Sequence, residues 1–149
     1  MLRAWRRSNL PDFRTSSVAA LMEGVGSGAV CNPVREVAHA DFVLVIGANP
    51  TDGHPVFASR MKRRLREGAR LIVADPRAID LVHSPHIHAD FHLPLRPGTN
   101  VAVLTAMAHV IVTEGLFNEG FIRDRCDWDE FQDYAEFVSQ PHHAPEAVQ

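Results

Sequence analysis

The sequence predicts an α/β domain with a Rossmann-like parallel sheet and flanking helices. Residues 42–46 and 71–74 are short apolar runs, rich in β-branched side chains and without alternation. That pattern is typical of strands buried on both faces of a parallel sheet. The intervening segment 55–67 predicts a helix ended by Gly68, a residue common just after helix ends. Strand, helix and strand span about 35 residues, the size of a right-handed crossover unit.

Two short helices are predicted before the first strand. The first covers residues 18–23 after a cap at Ser16 or Ser17, and the glycine-rich stretch 24–28 ends it. The second covers residues 33–40 and starts with a proline, which suits the first position of a helix.

Helices dominate after the second strand. Residues 78–83 predict a turn or short helix, and residues 90–95 predict a shorter strand. The long helix 101–113 follows, with apolar residues at helical spacing. Asn118 and Asp127 are each expected to start a further helix, because both residue types favour the N-cap position.

The chain divides into three parts. Residues 1–14 have no clear periodicity and stay unassigned, residues 15–140 carry the α/β elements, and residues 141–149 form a tail. Because the tail has no recognisable structural end, we expect a partial domain of a larger subunit.

Composition excludes several classes of protein. Hydrophobic residues make up 46% and charged residues 22% of the 149, as in ordinary globular proteins, and the net charge of −3 does not favour nucleic acid. No apolar run approaches the ~18 residues of a membrane span. Only Cys31 and Cys126 are present, too few for an iron–sulfur cluster from this chain alone. With no export signal, the expected location is cytoplasmic.

Three loops are expected at the ligand-binding edge of the sheet. They are residues 47–55, 75–77 and 95–100, and in an open α/β sheet the crevice beyond the carboxyl ends of the strands binds ligands. Glycine permits close backbone approach and a helix start offers free amides to phosphate. Asp75 suits a ribose or base, and Arg77 suits a phosphate. Taken singly, a loop like the first is more often a structural turn than a site, and residues 75–77 are equally consistent with an N-cap and a surface arginine.

Together the three loops resemble the molybdopterin oxidoreductase family, particularly formate dehydrogenase catalytic subunits. The first loop has the pattern G-x-N-P-x-x-x-H-P, the second has I-V-x-D-P-R, and the third has P-G-[ST]-[ND] before a long helix. The matching residues are Gly47, Asn49, Pro50, His54 and Pro55; Ile72, Val73, Asp75, Pro76 and Arg77; and Pro97, Gly98, Thr99 and Asn100.

The resemblance implies a bis(molybdopterin guanine dinucleotide) cofactor carrying molybdenum or tungsten, and oxidation of formate to carbon dioxide. An iron–sulfur cluster is expected only in the complete subunit, and the partners would be the rest of that subunit or electron-transfer subunits. The residues implied in holding the nucleotide half of one pterin are Gly47, Ala48, Asn49, Pro50, His54, Asp75, Pro76, Arg77, Pro97, Gly98 and Asn100.

No catalytic or metal-binding residue is assigned to this chain. Where the family carries a metal-binding cysteine or selenocysteine followed by histidine, this sequence has residues near Phe13 and Arg14, which cannot ligate molybdenum in that way. The chain by itself is therefore expected to be inactive. Two alternatives stay open: a non-catalytic electron-transfer or structural subunit like the large iron–sulfur subunit of complex I, and a plain nucleotide-binding module.

The histidines are expected to be structural or exposed. His83, His86, His88 and His92 lie on a turn and a strand at spacings that do not bring two ligands together with a cysteine or carboxylate, so surface positions are predicted. His109, on the long helix, is predicted to be a hydrogen-bonded core histidine.

Overall fold

The computed structural model describes residues 13–26 and 32–148. Cys31 and the unassigned residues 1–12 lie outside the described residues, as do the predictions made for them. Within the described ranges, no helix has the length and apolar character needed to cross a membrane.

The predicted parallel sheet is confirmed. Strands β1 (Phe42–Ile46), β2 (Arg70–Ala74) and β5 (Phe91–Leu93) lie in the order β1-β2-β5. All pairs are parallel, with Val45 opposite Val73 and Ala74 opposite Leu93. The apolar runs form strands because β-branched side chains fit a pleated, covered surface.

Strand β1 is less buried than the sequence predicts. Phe42 is half-exposed, and Val45 is the one residue of β1 that is fully buried, whereas β2 buries Leu71, Val73 and Ala74. The cause is position in the sheet. Strand β2 has neighbours on both sides, but β1 lies at an edge of the described sheet.

Helix α3 (Pro55–Arg66) covers the sheet and closes the core. The inner side of α3 buries Ala58 and Met61, and Gly68 follows its C-cap Glu67 with φ +109°, a left-handed conformation that glycine adopts without strain. Met61 belongs to one apolar cluster with residues from β1, β2 and the segment after β2: Val45, Leu71, Val73, Ile79, Leu81 and Ile87.

The N-terminal elements differ from the prediction. Helix α1 covers Phe13–Val25, so it starts upstream of Ser16 and Ser17, and neither serine is its cap. The predicted helix 33–40 is a 3₁₀ helix, Val34–His39, with no side-chain cap. It packs against α3, and this tertiary contact stabilises a short tight helix that has little stability of its own.

A β-hairpin begins at the end of segment 78–83, for which the sequence predicts a turn or short helix; residues 80–82 form a turn and the hairpin follows. Strands β3 (His83–Ser84) and β4 (Ile87–His88) pair in antiparallel fashion. The Ser84 Oγ accepts from the Ile87 amide at 3.2 Å and donates to the Ile87 carbonyl at 3.3 Å. Ile87 is buried in the core, and this burial holds so short a hairpin in place.

Further helices and a packed tail complete the chain. Helix α2 (Pro50–Gly53) precedes α3, and α4 (Asn100–Thr113), α5 (Glu119–Arg125) and α6 (Trp128–Val138) follow β5. The predicted caps are confirmed: Asn118 Oδ1 accepts from the Phe121 amide at 3.0 Å, and Asp127 Oδ1 accepts from two amides of α6. The 3₁₀ turns Pro141–His143 and Pro145–Ala147 pack on α4.

Candidate functional site

The loops after β1, β2 and β5 meet at one edge because the three strands are parallel. The Gly47 amide donates to the Ala74 carbonyl at 3.0 Å, which joins the first loop to the end of β2. A Cβ placed on Gly47 would lie 4.0 Å from Asn100 Nδ2, so the first loop also adjoins the start of α4. Two positions taken from separate motifs of the sequence are therefore neighbours in space.

Gly47 has a conformation that favours glycine. Its φ is +57°, in the left-handed region that costs an ordinary side chain roughly 1–2 kcal/mol. Among the residues that the structure describes, and apart from its chain neighbours, Asn100 alone has an atom within 4 Å of the position that a Cβ would take here. The backbone at Gly47 can therefore be approached closely by a ligand.

Asn49 and Pro50 build the turn that follows Gly47. Asn49 is the N-cap of α2: its Oδ1 accepts from the Thr51 amide at 3.3 Å, and its Nδ2 donates to Asp52 Oδ2 at 2.7 Å. Pro50 occupies the first helical position and is buried. In this structure both residues shape the loop, while Ala48 and His54 are exposed beside it.

Asp75 is the buried charge of the site. Its side chain is 3% exposed, and Oδ1 accepts from the Arg77 amide at 2.8 Å and from Arg77 Nε at 3.2 Å. The backbone hydrogen bond, followed by the Arg77 side chain, lowers the pKa of Asp75 below its usual value, outweighing the opposite effect of burial. Asp75 is therefore a carboxylate at neutral pH and an acceptor only.

His92, for which the sequence predicts a surface position, is half-buried beside the candidate site. It lies opposite Val73 in β5, and its Nε2 is 2.9 Å from the Asp75 carbonyl, so this bond requires the proton on Nε2. His92 thereby ties β5 to the Asp75 loop. Nothing in the local sequence marks this histidine, because histidine in a strand has no local motif. Its place beside Asp75 follows from the parallel register of β5 with β2.

The third loop leads into α4. Gly98 has φ +89°, and Pro97 and Gly98 are exposed. Thr99 is at the N-cap position, but it makes no capping bond, because its Oγ1 donates to the Arg96 carbonyl at 2.8 Å. The first amides of α4 therefore have no side-chain acceptor from Thr99, and Asn100 faces Gly47 from the same helix start.

The arrangement suits a nucleotide better than a metal. A nucleotide has hydrogen-bond donors and anionic groups. The ionised carboxylate suits the donors, and the exposed guanidinium, the glycine backbone and the start of the long helix suit the anionic groups. Within residues 13–26 and 32–148, no three histidine, cysteine or acidic side chains are placed to hold a metal ion together.

Comparison with known proteins identifies the family. The family model for molybdopterin oxidoreductase matches residues 5–137. Formate dehydrogenase H of Escherichia coli is 39% identical over 133 residues, 89% of this chain and 18% of that protein. The F420-dependent formate dehydrogenase 1 subunit alpha of Methanococcus maripaludis is 40% identical over 111 residues, 74% of this chain and 16% of its own length.

A solved structure supports the same conclusion. Acetylene hydratase from Pelobacter acetylenicus superposes with a TM-score of 0.62 at 29% identity, over 77% of this chain and 16% of that one. The chain spans less than a fifth of the length of these relatives. The resemblance seen in the three loops is confirmed: the chain belongs to the molybdopterin oxidoreductase family.

Proposed function

We propose that the strand-end edge binds the guanine-nucleotide half of a bis(molybdopterin guanine dinucleotide) cofactor carrying molybdenum or tungsten. The observation that carries this proposal is the convergence of Gly47, Asp75 and Asn100. They belong to three separate loops, yet Gly47 is bonded to the end of β2, directly before Asp75, and adjoins Asn100.

Asp75 is the proposed recognition group. Guanine presents N–H donors on its ring and its exocyclic amine, and ribose presents hydroxyl donors, so a fixed carboxylate can accept from either. Adenine lacks the ring N–H donor. Because Oδ1 is already bonded to Arg77, Oδ2 is the atom we assign to the nucleotide.

The remaining residues are assigned to binding the phosphates and to letting the nucleotide approach the backbone closely. The Arg77 side chain is 75% exposed beside Asp75, so its free guanidinium nitrogens can pair with a phosphate. The first amides of α4 provide a second anion-binding position, since a long helix start carries partial positive charge. Ala48, His54, Pro76, Pro97 and Gly98 are assigned to the walls of the same crevice.

The reaction proposed for the complete protein is two-electron oxidation of formate to carbon dioxide. Its support is the number of similar proteins named as formate dehydrogenases. The bound cofactor would supply the metal that takes up the electrons. The residues of this chain hold and orient the nucleotide and contribute no ligand to the metal of the cofactor, so we expect no formate-dependent dye reduction from this chain alone.

The test is equilibrium binding of GDP and ADP to the full chain, measured by calorimetry. We expect GDP to bind at least about tenfold more tightly than ADP, and Asp75→Asn to remove most of that preference, as loss of a buried acceptor does. Asp90→Asn is the matched control, because Asp90 is an acidic residue whose carboxylate accepts from the Leu71 amide and the Arg70 side chain. Equal binding of GDP and ADP, unchanged by Asp75→Asn, would show that the edge is a plain nucleotide-binding module.

A further inference from the structure

The hairpin β3–β4 holds two histidines face to face. His83 and His88 are direct partners in the antiparallel register, so their side chains leave the same face of the hairpin. Both are exposed. The sequence spacing gives no indication of this pairing, because it does not predict the hairpin itself.

The separation of the two ring nitrogens fits a shared metal ion. His83 Nδ1 and His88 Nδ1 lie 3.1 Å apart, with ring centroids 4.8 Å apart and planes tilted by 53°. A metal bound to two imidazoles at about 2.0–2.1 Å, with angles between square and tetrahedral, places the nitrogens about 2.9–3.4 Å apart. No backbone movement is needed to reach this distance.

The backbone fixes the two rings near one another. The Ser84 hydroxyl bonds both polar backbone groups of Ile87, and the Ala89 amide donates to the Val82 carbonyl at 3.2 Å. Ile87, next to His88, is anchored in the apolar core. Preorganisation of this kind lowers the ordering cost of binding.

This pair is separate from the nucleotide edge. The Asp90 amide, two residues after His88, donates to the Leu71 carbonyl near the start of β2, whereas Asp75 follows the end of that strand. The Asp90 carboxylate accepts from the Leu71 amide and pairs with Arg70. Asp90 is thus engaged and does not serve as a third ligand.

We propose that His83 and His88 chelate one divalent transition-metal ion through their Nδ1 atoms, with water completing its coordination. Neutral imidazoles favour Cu²⁺, Ni²⁺ and Zn²⁺ over Mg²⁺ and Ca²⁺. In the metal-free chain one ring donates its Nδ1–H to the other Nδ1, so metal binding requires the donor ring to carry its proton on Nε2 instead. The order of affinity is expected to place Cu²⁺ first.

The test is titration of the full chain with NiCl₂ by calorimetry. We expect one Ni²⁺ per chain, with His83→Gln and His88→Gln each weakening binding about tenfold or more. The double variant should bind Ni²⁺ no more tightly than either single one, because loss of either imidazole already ends chelation. His86→Gln is the matched control: it lies in the turn of the same hairpin and should bind Ni²⁺ like the wild type.

A second measurement needs no variant. Titration with Zn²⁺ followed by ¹⁵N NMR of the histidine rings should move the Nδ1 resonances of His83 and His88 before those of the other histidines. Unmoved Nδ1 resonances at these two positions, or equal loss of Ni²⁺ binding in His86→Gln, would overturn the proposal.

Discussion

Residues 42–95 and residues 100–148 bury their apolar side chains to very different degrees. The first region contains every buried residue of the apolar cluster around Leu71 and Met61, and the half-buried Val37 packs against it from outside that region. In the second region, Ala106 and Val138 are the buried apolar residues. Helix α4 (Asn100–Thr113) has no charged side chain, yet it buries little of its apolar surface. Val101 is 75% exposed and Leu104 is 42% exposed.

The contrast distinguishes the apolar side chains that stabilise this chain from those that stay exposed in it. A helix that is apolar around its circumference is typical of a protein interior, and the relatives of this chain are more than four times as long. The sheet region contains the buried core, although Phe42 and Phe91 are at least half exposed, while α4 has several exposed apolar side chains.

Substitution of leucine by alanine should separate the two regions most strongly. Leu71→Ala removes a fully buried side chain and should lower the free energy of unfolding by about 3 kcal/mol. Leu116→Ala makes the same chemical change at a side chain that is 65% exposed, and we expect less than about 1 kcal/mol. Urea denaturation measures both. Equal losses would contradict the assignment of the core to residues 42–95.

Gly47 tests the junction between the regions. Gly47→Ala places a Cβ on a residue with φ +57° next to Asn100, and we expect a loss of about 1–2 kcal/mol. Gly53→Ala is the matched control, because Gly53 has no positive φ and nothing within 4 Å of its Cβ position. Thermal unfolding of both variants gives the comparison, and an equally large effect of Gly53→Ala would remove the special role of Gly47.

The smallest effect expected is a pH dependence confined to the C-terminal region. Burial, followed by the charges of His142 and His109, lowers the pKa of His143, whose ring lies 4.7 Å from that of Phe137. The unfolded chain then binds this proton more readily, so stability falls as the pH drops below about 6.5. Limited proteolysis of the tail at pH 7.5 and pH 5.5 measures this loss.

The control for this titration is His143→Phe, which keeps an aromatic ring and cannot take up the proton. In this variant the difference in tail cleavage between pH 7.5 and pH 5.5 should be smaller than in the wild type. Faster cleavage of the wild-type tail at pH 7.5 than at pH 5.5 would contradict the direction assigned to His143.

Local chemistry predicts much of this structure. The apolar runs predict β1 and β2, Gly68 predicts the end of α3, and Asn118 and Asp127 predict two helix starts, because each signal acts within a few residues of its own position. The sequence also predicts the three loops as neighbours, because parallel strands end at one edge.

The missed features depend on distant partners. The hairpin His83–His88 is held by burial of Ile87 in the core, and His92 acts through the register of β5 with β2. The sequence around each of these features therefore contains no local pattern that predicts it. The helix predicted at 33–40 is present, but contact with α3 accompanies its tighter 3₁₀ form.

The most direct test of the proposed cofactor edge is an NMR titration of the ¹⁵N-labelled chain with GDP. The largest amide shifts should fall at Gly47, Arg77 and Asn100, three positions separated in sequence and joined at the ends of the strands. Shifts concentrated instead on the basic residues of α3, Arg63 and Arg66, would indicate nonspecific attraction of a polyanion and contradict the account.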